Sequence, residues 1–133
     1  MPRKAHPDDA GYDLASREMV VVHPGDVRLA WAGFRIALEH GWEAQIRSRS
    51  GNVLKKRLVV ANSPGTIDCG YLGEVGVLLH NIGSKMVVVN PGDRIAQMVV
   101  CRVPNTELEQ VKSIDEQSSR GANGFGSTDE KGV

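Results

Sequence analysis

The chain has 133 residues and a formal net charge of zero, with 41% hydrophobic and only 5% aromatic residues. That length suits a single domain, and the balanced charge excludes a whole-molecule pull toward nucleic acid or an anionic membrane. No apolar run is long enough to cross a bilayer, Cys69 and Cys101 make no disulfide framework, and MPRKAHPDDA lacks the apolar segment of a secretory signal, so an intracellular, reduced protein is expected.

With aromatics scarce, the core must come from Val, Ile and Leu. Valine occurs in runs, at Val20-Val21-Val22, Val59-Val60, Val87-Val88-Val89 and Val99-Val100. β-branched side chains favour the pleated conformation, and 15 glycines and 6 prolines supply turns between strands. A mainly β domain over residues 1–111 is predicted.

Ala10 to Ala15 (AGYDLA) reads as a short element in which Tyr12 and Leu14 turn inward and Asp13 alternates outward. Met19 to Val22 is a strand, and His23-Pro24-Gly25-Asp26 is a turn. Val27 to Leu38 stays extended, with an interruption at Ala32-Gly33, and His40-Gly41 turns the chain again. From Trp42 to Arg49 the alternation is clean: Trp42, Ala44, Ile46 and Ser48 face one way, Glu43, Gln45, Arg47 and Arg49 the other.

Ser50-Gly51 then opens NVLKKR, the best helix candidate, whose start leaves N–H groups and a positive dipole end without partners. Arg47, Arg49, Lys55, Lys56 and Arg57 are five bases with no acid among them. Two readings stand. One is a phosphate site formed by Arg49, Ser50 and helix N–H groups; the other is a solvated face or a nucleic-acid patch. Interleaved aromatics for base stacking are absent.

Asn62 to Glu74 (NSPGTIDCGYLGE) has the punctuation of a tight β-hairpin, with Pro64-Gly65 at one bend and Gly70 and Gly73 further on. It carries an acid, Asp68, and a ring, Tyr71. Such a hairpin can hold a small planar molecule, or it is a surface hairpin with an exposed acid. Glu74 to Asn81 and Met86 to Val89 are strands, separated by the turn Ile82-Gly83-Ser84-Lys85. After the turn Asn90-Pro91-Gly92-Asp93, Arg94 to Val103 is a long strand, apolar on both faces and therefore central. Gln97 interrupts it, so its amide must find backbone partners or line a pocket. Residues 112–133 are polar and rich in Ser and Gly, predicting a flexible tail. Within it, Arg120, Phe125, Ser127 and Thr128 could grip an anion and cover a flat ligand.

In order, AGYDL, RSG, GTIDCGYLGE, GDRIAQ and RGANGFGST resemble the five sequence motifs of the deoxyuridine triphosphatases (dUTPases), from Ala10 to Thr128. The resemblance implies a β jelly-roll subunit with one short helix, a homotrimer with active sites between subunits, and Mg²⁺ dependence. It also implies hydrolysis of dUTP to dUMP and pyrophosphate, which limits uracil incorporation into DNA and supplies dUMP for thymidylate synthesis.

Carried onto this chain, the resemblance makes Asp13 the acid that holds Mg²⁺ through water. Arg49, Ser50 and Gly51 match the phosphate-binding segment. Asp68 matches the acid that orients and deprotonates water, and Tyr71 the ring against deoxyribose. Main chain around Asn62, Gly65 and Ile67 resembles the part that reads uracil, and Gln97 matches the amide near the α-phosphate and its water. Arg120 resembles the γ-phosphate ligand, Phe125 the ring over uracil, and Gly126, Ser127 and Thr128 the phosphate loop.

Three departures stand out. The second motif usually reads PRSGL, whereas Ser48 and Asn52 flank Arg49-Ser50-Gly51 here, which predicts a less rigid segment. Leu72 stands where Arg is frequent, at an expected subunit contact. Asp129 follows Ser127-Thr128 where glycine is common, and an acid facing the triphosphate there would weaken its binding. Two other functions share the implied fold: a non-catalytic nucleotide-sensing or partner-binding protein, and a dCTP deaminase-like enzyme. The intact Asp68, Gln97 and RGANGFGST favour hydrolysis of dUTP.

Overall fold

The computed structural model describes residues 1–114 and 118–123. Short alternating stretches form nine strands among these residues: β1 (Tyr12–Ala15), β2 (Val20–Val22), β3 (Val27–Arg35), β4 (Trp42–Arg47), β5 (Leu58–Val60), β6 (Gly65–Asp68), β7 (Glu74–Asn81), β8 (Val87–Val89) and β9 (Arg94–Arg102). One helix, α1 (Ser50–Lys56), lies between β4 and β5. The strands make a four-stranded sheet β1-β9-β4-β6, a three-stranded sheet β3-β7-β5 and a pair β2-β8, and the ladders between them are antiparallel.

The inner faces meet in one core. Leu14, Ala44, Ile46, Ile67, Ala96 and Met98 come from the first sheet, Ala30, Leu58, Val60, Val75, Val77 and Leu79 from the second, and Val20, Val22 and Val89 from the strand pair. This is the mainly β fold expected from the valine runs and scarce aromatics, and the jelly-roll that the motif resemblance implies. β9 lies between β1 and β4, as its two-sided apolarity demands. The Ala32-Gly33 interruption is a register shift in β3 between Trp31 and Arg35, with Gly33 at φ +74. The helix starts at Ser50, two residues before the predicted NVLKKR segment.

One expectation is corrected. Asn62 to Glu74 is not a hairpin whose arms pair with each other. β6 pairs with β4 in one sheet, whereas β7 pairs with β3 and β5 in the other. Turn residues marked where the chain bends, but burial chose the partners. Gly65 and Ile67 are buried facing the core on β6, and Val75, Val77 and Leu79 do the same on β7.

A fully buried amide ties the loops at one end. The Asn81 Nδ2 donates to the carbonyls of Val22 (2.9 Å) and Lys85 (2.8 Å), and its Oδ1 accepts the Gly83 N–H (2.9 Å). Such a group is tolerated inside because every polar atom has a partner.

Candidate active site

Asp13, Gln97 and Arg47 sit side by side on the outer face of the first sheet, because Asp13 opposes Gln97 across β1–β9 and Gln97 opposes Arg47 across β9–β4. The chain leaving β4 brings Arg49, Ser50 and Gly51 to the same place. Together with Asp9, Gly11 and other neighbours they line a cleft of about 360 Å³. No side chain caps α1 and its first turn holds no acid. The N–H groups of its first residues therefore lack intrahelical acceptors where the cleft reaches Ser50 and Gly51.

The cleft is held by its own side chains. Asp13 Oδ1 pairs with Arg49 Nε at 2.9 Å and Asp13 Oδ2 with Arg94 Nη1 at 3.3 Å. Gln97 Nε2 donates to the Ser48 carbonyl at 3.0 Å, which answers the question of its partner. Gly11 lies against Gln97; a Cβ there would come within 2.7 Å of Gln97 Oε1. Arg47 donates to Gln45 Oε1 (2.6 and 3.2 Å) and has no carboxylate partner among the described residues. It is a cation of the cleft that motif matching passed over, although the run of five bases contained the signal. That run divides: Arg47 and Arg49 serve this cleft, and Lys55, Lys56 and Arg57 line another at the far end of α1.

The departures in the second motif are hydrogen-bonded rather than loose. Ser48 Oγ accepts the Val60 N–H (2.8 Å), and the buried Asn52 donates its amide to the carbonyls of Arg94 (2.8 Å) and Ile95 (3.3 Å). Polar bonds here replace what a proline and a leucine supply by stiffness and packing.

The third-motif residues lie elsewhere. Asp68 opposes Glu43, four positions along β4 from Arg47, on the strand farthest from β1. Three strand spacings and four residues separate it from Asp13 by roughly 20 Å. Asp68 is exposed, Ile67 sends its side chain into the core, and Asn62 packs its amide against Gly65. β6 is the last strand of its sheet, so one edge of its main chain is left without a strand partner among the described residues. Tyr71, 44% exposed, folds back and donates from its hydroxyl to the Glu74 carbonyl at 2.8 Å. Gly73 permits that fold, since a Cβ there would overlap the Tyr71 ring. The Glu74 carboxylate is fixed by Arg17 (2.9 Å) and by the Gly33 N–H (3.0 Å). Leu72 is exposed beside it.

Arg120 is exposed and donates from Nε to the Asn123 carbonyl at 2.8 Å within a turn closed from Ser118. Phe125, Gly126, Ser127, Thr128 and Asp129 lie outside the described residues. One chain therefore brings Asp13, Arg49, Ser50, Gly51 and Gln97 together and keeps Asp68, with Tyr71 in the turn after it, apart from them, while the start of β6 stays near the second motif: Gly65 opposes Ile46, and Ser63 Oγ, next to Asn62, accepts the Ser48 N–H at 3.4 Å.

Among the described residues no three His, Cys, Asp or Glu side chains cluster to hold a metal, and no helix is long and apolar enough to cross a membrane. Mg²⁺ does not need such a cluster. It keeps several waters and binds through one or two carboxylates plus substrate phosphates. Asp13 and Asp9, both lining the cleft beside two arginines, fit that donor set.

Comparison with known proteins points the same way. The dUTPase family model matches residues 1–129. The deoxyuridine 5′-triphosphate nucleotidohydrolase of Clostridium tetani is 48% identical over 128 residues, covering 96% of this chain and 88% of the relative. That of Anaplasma marginale is 48% identical over 130 residues, with the same coverage. The dUTPase of Staphylococcus bacteriophage 80alpha, solved with dUpNHpp, superposes with a TM-score of 0.87 at 30% identity, covering 96% of this chain and 90% of that one. A variant dUTPase from S. aureus phage phi11, described with a coordinated structural Mg(II) ion, superposes at 0.79 with 27% identity over 87% of this chain and 92% of that one. With its folded domain and all five motifs inside the matched span, the chain belongs to the dUTPase family.

Proposed function

We infer that this dUTPase hydrolyses dUTP to dUMP and pyrophosphate in a site assembled between copies of the chain. The observation that carries this is the cleft at Asp13, Arg49, Ser50, Gly51 and Gln97, where two arginines and several hydrogen-bond donors meet the carboxylates of Asp9 and Asp13, while Asp68 of the same chain lies roughly 20 Å from Asp13. The triphosphate would lie there, met by Arg49, Arg47, the Ser50 hydroxyl and main-chain N–H groups. Asp68 and Tyr71 would come from a neighbouring copy, since within one chain they lie too far from the cleft to act on the same molecule. An exposed apolar face of the second sheet, with Val27, Leu29 and Leu78, offers surface for such association. The homotrimer implied by the motifs satisfies these demands with three equivalent sites.

In the reaction a water oxygen attacks the α-phosphorus as its bond to the bridging oxygen breaks and pyrophosphate departs. Asp68 takes the proton from that water; such general-base help is typically worth about 10²–10⁴ in rate. Gln97, its amide fixed by the Ser48 carbonyl, orients the α-phosphate and the water. Mg²⁺, held through water by Asp13, would neutralise phosphate charge when bound. The unpaired edge of β6 would read the uracil ring by main-chain donors and acceptors, with Ile67 contributing backbone only because its side chain is in the core. Tyr71 would pack on the deoxyribose and leave no room for a 2′-hydroxyl, where a merely apolar pocket would discriminate weakly. Residues 112–133 would close over the site as a tail, Arg120 reaching the γ-phosphate, Phe125 covering uracil and Gly126, Ser127 and Thr128 wrapping phosphate.

The test is pyrophosphate release from dUTP, dCTP, dTTP and UTP, with and without Mg²⁺. Selective, Mg²⁺-dependent release from dUTP is expected. Binding of dUTP without release would instead favour the sensing protein, and ammonia release from dCTP the deaminase.

A further inference from the structure

Arg94 has no part in the assignments above, yet it holds one oxygen of Asp13. Its position there is an exception to strand alternation. Asp13 opposes Gln97 and Leu14 opposes Ala96, but Ala15 opposes Arg94, skipping Ile95. In regular pairing Arg94 would share the inward face of Ala96 and Met98. The extra residue reverses this: Ile95 and Ala96 are buried in succession and Arg94 emerges on the face of Asp13. The Asn52 amide binds the carbonyls of both residues at this bulge, Arg94 and Ile95, so the irregularity is a held geometry.

The two arginines reach Asp13 from different sides. Arg49 lines the phosphate cleft and takes Oδ1; Arg94 lies in an adjoining cleft, with Arg3 and Gly92, and takes Oδ2. We propose that Arg94 is the positioning residue for Asp13: it keeps the carboxylate aimed into the cleft when Arg49 turns from Oδ1 to the phosphates, leaving Oδ1 to a water of the bound cation. This rests on the reading of Asp13 as the carboxylate that meets Mg²⁺. Arg94 itself touches neither nucleotide nor metal. The competing account is a partly exposed ion pair that contributes little to stability and nothing to function.

The experiment is calorimetric titration of Mg²⁺ into the full-length protein saturated with α,β-imido-dUTP, for wild type, Arg94→Ala, Arg94→Lys, Asp13→Asn and the double variant Asp13→Asn/Arg94→Ala. Arg94→Ala is expected to weaken Mg²⁺ binding about tenfold, the lower end of what loss of a ligand-orienting partner does. Arg94→Lys should regain most of it, and the double variant should be no weaker than Asp13→Asn alone, because both act through one carboxylate. The side chain of Arg94 is 59% exposed, so thermal denaturation should change little. If Arg94→Ala does not fold, Arg94→Lys carries the test against Arg94→Gln. Wild-type Mg²⁺ affinity in Arg94→Ala, with affinity lost in Asp13→Asn, overturns the proposal and leaves the role of Asp13 standing. Wild-type affinity in Asp13→Asn overturns both.

Discussion

The two halves of the proposed site are built by opposite means. At the β1–β9–α1 end, charged side chains hold one another: Arg49 and Arg94 share Asp13, and Gln97 is tied to Ser48. At the β6–β7 end, where the proposed recognition would fall to main chain, the ring of Tyr71 folds onto its own loop, a fold that a Cβ at Gly73 would block. The difference follows from the ligand. A triphosphate demands cations, and cations crowded together need a counter-charge, which Asp13 supplies to Arg49 and Arg94. A uracil edge is a pattern of donors and acceptors, which an edge strand already presents.

The largest effect tests whether the halves belong to different copies. Asp68→Asn should lower turnover by about 10²–10⁴ while leaving affinity for a non-hydrolysable dUTP analogue within a few-fold. Arg49→Ala should instead weaken binding, by about 10–100-fold, as expected for a lost charge-assisted bond to phosphate. Oligomers assembled from equal amounts of the two variants should recover about a quarter of wild-type activity, the share of sites drawing both halves intact from random neighbours. No recovery in verified mixed oligomers would mean that each chain completes its own site.

Gly11→Ala acts at the phosphate end alone. The added methyl would press on Gln97 Oε1, and the amide must turn or withdraw. Turnover should fall about tenfold or more, since displacements near 1 Å can cost up to about 10² in rate. Thermal stability should barely move. Unchanged turnover would show that Gln97 can yield without consequence.

Gly73→Ala is the counterpart at the other end, where the methyl would displace the Tyr71 ring. Its signature is specificity: the preference for dUTP over UTP, measured as a ratio of kcat/KM values, should drop by about 10-fold, the scale of a misfitted sugar contact. An unchanged ratio would remove Tyr71 from sugar discrimination.

Legibility in the sequence followed the same division. Elements whose fate depends on local alternation were readable: β4, the central β9, the break at Gly33 and the outward turn of Asp13. The motifs contained seven of the eleven residues that line the cleft at Asp13, and passed over Ala5, Asp9, Arg47 and Val99. Pairing was not readable. Gly-Pro punctuation made Asn62–Glu74 look like a hairpin, because turn chemistry is local whereas the choice of β4 for β6 is made by a core that forms across the chain. The buried amides of Asn81 and Asn52 also escaped notice, since an Asn beside a turn or in a helix reads as solvated until its partners 42 or 59 residues away are in place. Arg94 was hidden by the bulge, which inverts the face that alternation assigns to it.

Asn52→Ala gives the smallest effect and the most local one. The amide satisfies two carbonyls at the β9 bulge, and its loss should cost about 1–2 kcal/mol in urea denaturation at a fixed chain concentration. The functional consequence should be confined to one half of the site. With the bulge loosened, Arg94 and Gln97 lose their common reference, so turnover should fall a few-fold while the preference for dUTP over UTP, proposed to be set at Tyr71, should stay put. A change in that preference would mean that the two ends communicate through the first sheet. The hydrogen-bonded run Glu43–Gln45–Arg47 along β4, between the strand partner of Asp68 and that of Gln97, would be the place to look for the connection.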